Sequence, residues 1–241
     1  MARRAFAVVL LVAAPALAAS TATRPPSLPS DLGAAERTRI NAVTETASIA
    51  IRWEADAFPA RRDVFEYLLD HPDFATHITR ALKVARYRVS RTKDGLHLDD
   101  GWGTRGHFEV VHAANGVRVM YARGDHEQRW LPSITGEAVV VFEYGFSAGS
   151  DGKPRVTPTI GSFVKIDSRL LAALTRLAGP YAKEKAEKEA QRLAKVFMRV
   201  SRAIEEEPAR VYELLRQRPD VPARELDEFR RLLNLPRTAT P

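Results

Sequence analysis

Apolar and polar positions follow two different periods along this chain, and the switch between them predicts its elements. Residues 43–53 (VTETASIAIRW) come to alternate, with Ala47, Ile49, Ile51 and Trp53 on one face, as in a half-buried strand. Pro59 and Asp63 then announce a helix that carries Val64, Phe65, Leu68 and Leu69 at helical spacing, and His71-Pro72 stops it. A second short helix fits 72–80, with Phe74 and Ile78 on one side. Alternation returns over 82–91 (LKVARYRVSR); Lys93-Asp94-Gly95 predicts a turn, 96–100 a short strand, and Gly101, Gly103 and Gly106 a bend or bulge.

Residues 105–123 carry the clearest hairpin signal, because Asn115-Gly116 suits a two-residue turn. Pairing outward sets Ala114 opposite Val117, His112 opposite Val119, Val110 opposite Tyr121 and Phe108 opposite Arg123, all on one face. His107, Glu109, Arg118 and Met120 fall on the other, so one side reads as apolar and one as polar. Residues 136–147 alternate again, with Ala138, Val140, Phe142, Tyr144 and Phe146 together. A turn over 150–154 leads to another strand over 155–167. Beyond Asp167 the period becomes helical through Leu170, Leu174, Leu177 and Tyr181. Gly179-Pro180 kinks or splits this helix, since proline lacks the donor and clashes with the preceding turn. The stripe continues through Ala186, Ala190, Leu193, Phe197, Val200 and Ile204 until Pro208 ends it. Two short amphipathic helices, 209–217 and 223–233, close the chain.

The start of the chain sets a compartment. Arg3 and Arg4, an uncharged apolar run from Ala5 to Ala14, Pro15 and the small-x-small site Ala16-Leu17-Ala18 form the pattern of a cleaved export signal over 1–19. The expected location is therefore periplasmic or secreted. The proline- and serine-rich residues that follow cannot make a packed element, and the linker is read as running from 20 to 42. The tail, 236–241, is expected to be disordered. With no cysteine, the exported chain has no disulfide framework and no thiolate chemistry, so its core alone must hold it. The formal charge is +7, two units of it from Arg3 and Arg4, and the charges interleave as on a solvated helix face. This predicts no nucleic-acid partner and at most peripheral attraction to an anionic membrane surface.

The order of elements is strand, two short helices, a run of antiparallel strands, then one long helix. Together with the segment AFPARRDVFEYLLDHPDFATHI, where a strand leads into paired helices, it resembles the START-like superfamily over 43–207. That superfamily includes polyketide cyclases, ubiquinone-binding proteins and Bet v 1-like plant proteins. The resemblance implies an α+β helix-grip fold: a curved antiparallel sheet wrapped round a long C-terminal helix, with a cavity between them. The helices of the extension over 208–235 depart from the minimal domain and would cap the cavity, pack on the sheet edge or mediate dimerisation.

The residues suit such a cavity. Ala182, Ala186 and Ala190 leave space on the helix. The expected facing wall comprises Phe142, Tyr144 and Phe146 and the hairpin face Phe108, Val110, Val119 and Tyr121, with His112 and Arg123 as its polar members. Plain core packing explains the same spacings. The six histidines do not converge as metal ligands, and no serine elbow, P-loop or dinucleotide fingerprint is present. Glu137 and Glu143 lie about 20 Å apart along a strand, too far for a carboxylate pair. No metal, cofactor or catalytic group is expected. The leading expectation is an exported binding or carrier protein for a lipid, quinone or sterol-like molecule. A cyclase- or aromatase-type enzyme using Tyr121, His112 or Arg123 and a protein-interaction domain with a filled core are the alternatives.

Overall fold

The strand-period segments assemble into one curved, unclosed antiparallel sheet of eight strands. A computed structural model describes residues 28–93, 95–101, 103–128, 131–167 and 181–236. The strands are β1 (Ile49–Glu54), β2 (Phe58–Pro59), β3 (Arg88–Thr92), β4 (Gly95–Asp99), β5 (Thr104–Ala114), β6 (Val117–Gln128), β7 (Leu131–Ala148) and β8 (Pro154–Ile166). They lie in the order β1-β8-β7-β6-β5-β4-β3, and β2 also pairs with β8. Six helices occur among the described residues: α1 (Ala34–Thr44), α2 (Arg62–Asp70), α3 (Pro72–Ala81), α4 (Tyr181–Glu206), α5 (Pro208–Arg216) and α6 (Ala223–Leu232). The class is α+β, as the periodicities imply. The export signal over 1–19, the Gly179-Pro180 break and residues 237–241 of the tail lie outside the described residues.

Local chemistry accounts for several boundaries. Pro72 and Pro208 each stand in the first turn of the helix they open, where the missing N–H is no loss. Asn115 (φ 51°) and Gly116 (φ 74°) both take positive φ, as a type I′ hairpin turn requires. Gly116 is needed for a second reason: a Cβ there would stand 2.5 Å from the Tyr144 carbonyl oxygen. The Tyr144 N–H in turn donates to the Gly116 carbonyl at 2.7 Å.

Two expectations are corrected. The stretch expected to be linker through residue 42 contains helix α1, whose Ile40 and Val43 are buried. The strand expected over 82–91 begins only at Arg88. Before it, Lys83 takes φ 56° and the chain leaves α3 irregularly, which directs Ala85, Val84 and Tyr87 into a cluster of helices. Their apolar side chains gain more from that packing than an alternating pattern alone confers.

Cross-strand partners share a face of the sheet, so the pairing register sorts the strands' side chains into a back and a front. On the back, α1 lies over β7 and β8. Its Ile40 and Val43, with Leu32, close on Val119, Val139, Val141 and Phe163. On the front, α4 crosses β1 and β2. A third cluster is helical: α2, α3, the second half of α4, α5 and α6 bury Phe74, Ile78, Leu215 and Phe229 to 2% exposure or less. Each such side chain contributes about 1.5–3 kcal/mol. The C-terminal helices therefore pack on other helices rather than along a sheet edge.

Candidate functional site

The front of the sheet can be read row by row from the register. One row runs Val110, Met120, Val140, Ser162, Ile51 from β5 to β1. The next runs Phe108, Ala122, Ala138, Val164, Ile49, and beyond it lie Gly106, Gly124, Gly136 and Ile166. The farthest row is Thr104, His126, Ile134. On the opposite side of the Val110 row stand Arg118, Phe142, Ile160 and Trp53.

These rows are finished differently. Around Phe142 the front is filled by rings: the Phe65 centroid lies 6.1 Å from that of Phe142 and 5.4 Å from that of Tyr144, and Phe197 of α4 lies 5.2 Å from Phe142. Ala194 and Ile160 complete this packing. In the Val110 row, by contrast, Val110 is 36% exposed, and Met120 and Val140 are only half-buried. Phe108 and Ala122 beside them are half-buried as well. The floor then falls away to glycine. A Cβ on Gly106 would lie 2.8 Å from the Arg123 carbonyl oxygen and 3.1 Å from the Gly124 Cα, so β5 and β6 approach there as only glycine permits.

Few polar groups face this stretch. Ser162 is 3% exposed, and its hydroxyl has no hydrogen-bond partner among the described residues. At the glycine end, the Thr104 hydroxyl meets His126 Nδ1 at 2.9 Å, and the Thr104 N–H donates to Asp100 Oδ1 at 3.0 Å; all three residues are buried. At the ring-filled end, Arg118 donates through Nε to Asp70 Oδ1 at 3.0 Å and lies 5.7 Å over the Tyr144 ring, so its charge is already engaged. Burial pushes the pKa of the Tyr144 phenol up, and its hydroxyl donates to Glu66 Oε1 at 3.3 Å.

The residues expected to line a cavity divide between the two faces. Phe108, Val110, Phe142, Tyr144 and Phe146 belong to the front, as does Ala190, which packs with Ile49, Ile51, Ala138 and Val164. The side chain of Ala186 lies outside the described residues. His112, Val119, Tyr121 and Arg123 stand on the back, against the expectation that they share a wall with Phe108 and Val110. The cause is a β-bulge at Val111. Val110 pairs with Met120 while His112 pairs with Val119, so every position of β5 before the bulge changes face relative to an unbroken hairpin. Arg118 and Met120, expected on the polar face, are front residues because they pair with Phe142 and Val140 of β7.

The back-face polar groups are occupied with one another. Tyr121 donates to Glu137, and burial together with that carboxylate pushes the phenol up to about 12. The Tyr121 hydrogen bond and Lys165, 3.3 Å away, hold Glu137 below its ordinary value. Arg39 sits 4.2 Å over the Tyr121 ring. His112 Nδ1 is 3.6 Å from Asp31, and Arg123 is exposed. Sequence reasoning passed over Ser162 although its parity, between Ile160 and Val164, was readable. Met120 and Ala122 carried no such signal, because the bulge is not written in residue types.

No family model and no curated protein matches this chain. Among solved structures, it is similar to the crystal structure of a hypothetical protein, jhp0584, from Helicobacter pylori, at 13% identity and a TM-score of 0.36, over 64% of this chain and 86% of that one.

Proposed function

We propose that this chain is an exported, START-like helix-grip protein that binds or carries an apolar molecule, of lipid, quinone or sterol-like character, on the front of its sheet. The observation that carries this reading is the incomplete burial of one contiguous apolar stretch: Val110, Phe108, Met120, Ala122 and Val140. Val110 is the one large hydrophobic side chain found exposed among the described residues, while the back of the same sheet is closed to 1% exposure or less at Val119, Val139 and Val141. Covering apolar surface gains roughly 25 cal/mol per Å² whether the cover is protein or ligand, and pockets for such ligands are mostly apolar with few polar groups. The site lies between the ring-filled end of the front and the glycine rows, so the predicted wall moves from Val119 and Tyr121 to Met120 and Val140. Delivery outside the cytoplasm by the signal over 1–19 suits a molecule that needs shielding from water.

The test is a titration of the mature chain with Nile red. Saturable fluorescence enhancement is expected, and Val110→Asp should weaken it at least tenfold, because the new carboxylate would have to be desolvated beside the dye. Val119→Thr, on the back, should leave it unchanged. Absence of enhancement, or equal binding by Val110→Asp, removes the proposal.

A further inference from the structure

We infer that Ser162 is the polar anchor of this site, and that the ligand carries a neutral oxygen, a hydroxyl or a carbonyl, on an otherwise apolar body. The inference rests on the reading of the front face just given and specifies its ligand chemistry.

Ser162 stands in the row of Val110, Met120, Val140 and Ile51, with Ile160 and Val164 on either side of it along β8. Its face is fixed by the register, because Phe163 and Gly161 point to the back with Val139 and Val141. It is 97% buried, and its hydroxyl has no partner among the described residues. A buried hydroxyl without a partner is costly, and the great majority of such groups are satisfied in folded proteins. Alanine would fill the same place without that cost. A serine here is therefore explained by a partner that the described residues do not supply. The hydroxyl offers one rotatable donor and two acceptor lone pairs, so it can meet an alcohol or a carbonyl.

The neighbours decide the charge of that partner. Ser162 is flanked by Val140, Ile51, Ile160 and Val164, all aliphatic. Among the described residues, two strand cations share this face and both are engaged: Arg118 is bonded to Asp70, and Arg91, in the row of Leu96 and Phe108, is bonded to Asp73. An ionised carboxylate or phosphate at Ser162 would lose its hydration without gaining a counter-charge. A neutral oxygen meets no such penalty.

The experiment uses the mature chain and displacement of Nile red at pH 7 by 1-dodecanol, 2-dodecanone, dodecane and laurate. Wild type should bind the alcohol and the ketone about fivefold more tightly than dodecane, the worth of one neutral hydrogen bond. Laurate should bind more weakly than either. In Ser162→Ala the advantage of the alcohol and ketone should vanish while dodecane affinity stays unchanged, which also shows that the variant is folded. A preference that survives Ser162→Ala, no preference in wild type, or tighter binding of laurate than of dodecanol would overturn the assignment of Ser162. Failure of Nile red and dodecane to bind at all would instead overturn the apolar site itself.

Discussion

The two faces of the sheet are made by the same strands and closed in opposite ways. On the back, α1 brings branched side chains, Ile40 and Val43, down onto Val119, Val139, Val141 and Phe163, and all six are buried to 2% exposure or less. Its rim is tied by Arg39 to Glu109 at 2.6 Å and by Lys165 to Glu137, exposed pairs worth about 0–1 kcal/mol each. On the front, α4 presents small residues, Ala190 and Ala194, and lies over β1 and β2. The middle strands are left with Phe108, Val110, Met120 and Val140 incompletely covered. A face closed by large side chains is a structural core. A face closed at one end by rings and left apolar in the middle has surface to offer.

That contrast can be broken most directly by truncation. Phe163 is 2% exposed on the back, and Phe163→Ala should lower unfolding free energy by about 3–5 kcal/mol in urea titrations. Val110→Ser on the front should stay within about 0.5 kcal/mol of wild type. Comparable losses at the two positions would mean that the front is as closed as the back.

A smaller effect is expected at the junction of the front with α2. The side chain of Arg118 is 9% exposed and that of Asp70 is 47% exposed. Removing the acid strands a nearly buried cation, whereas removing the cation leaves an acid that water can reach. Asp70→Ala should cost about 1–3 kcal/mol and Arg118→Met less, measured by the same urea titrations. The opposite order would show that the pair is not where the front face is held.

The smallest effect concerns a region outside the comparison and sharpens it by contrast. Burial lowers the ionisation of His77 in α3; Asp220, 3.5 Å away, opposes this, and Arg80 and Arg218, which both bond Asp220, add to it. The folded chain thus favours neutral His77. Stability from this group is present above the unfolded value near 6.5 and is lost as pH falls from there toward the lower folded value. Melting temperature should therefore drop between pH 7 and pH 5.5, by less in His77→Gln, with Nile red binding at the front unaffected by the substitution. An equal drop in both proteins would remove His77 as the cause.

Much of this architecture was legible in residue order. The positive-φ pair Asn115-Gly116 announced its hairpin, Pro72 and Pro208 announced where the helices before them end, and Phe142, Tyr144 and Phe146 announced one face of β7. The site was less legible. Val111 looks like any other strand residue, yet as the extra residue of a bulge it carries Phe108 and Val110 to one face and leaves Val119 and Tyr121 on the other. Helix α1 was hidden as well, because its pattern is weak until Val119, Val139 and Phe163 provide a surface for Ile40 and Val43.

Periods of apolar residues and turn chemistry act within a few residues of the chain, so the amino-acid order alone determined the α+β class, the hairpin turn and most strand and helix positions. Which side of the sheet each residue joined, and which side was sealed, depended on a one-residue insertion and on where two helices far apart in the chain came to rest. Only tertiary structure decided those, because side-chain parity inverts with a single residue, and burial is a property of what lies opposite.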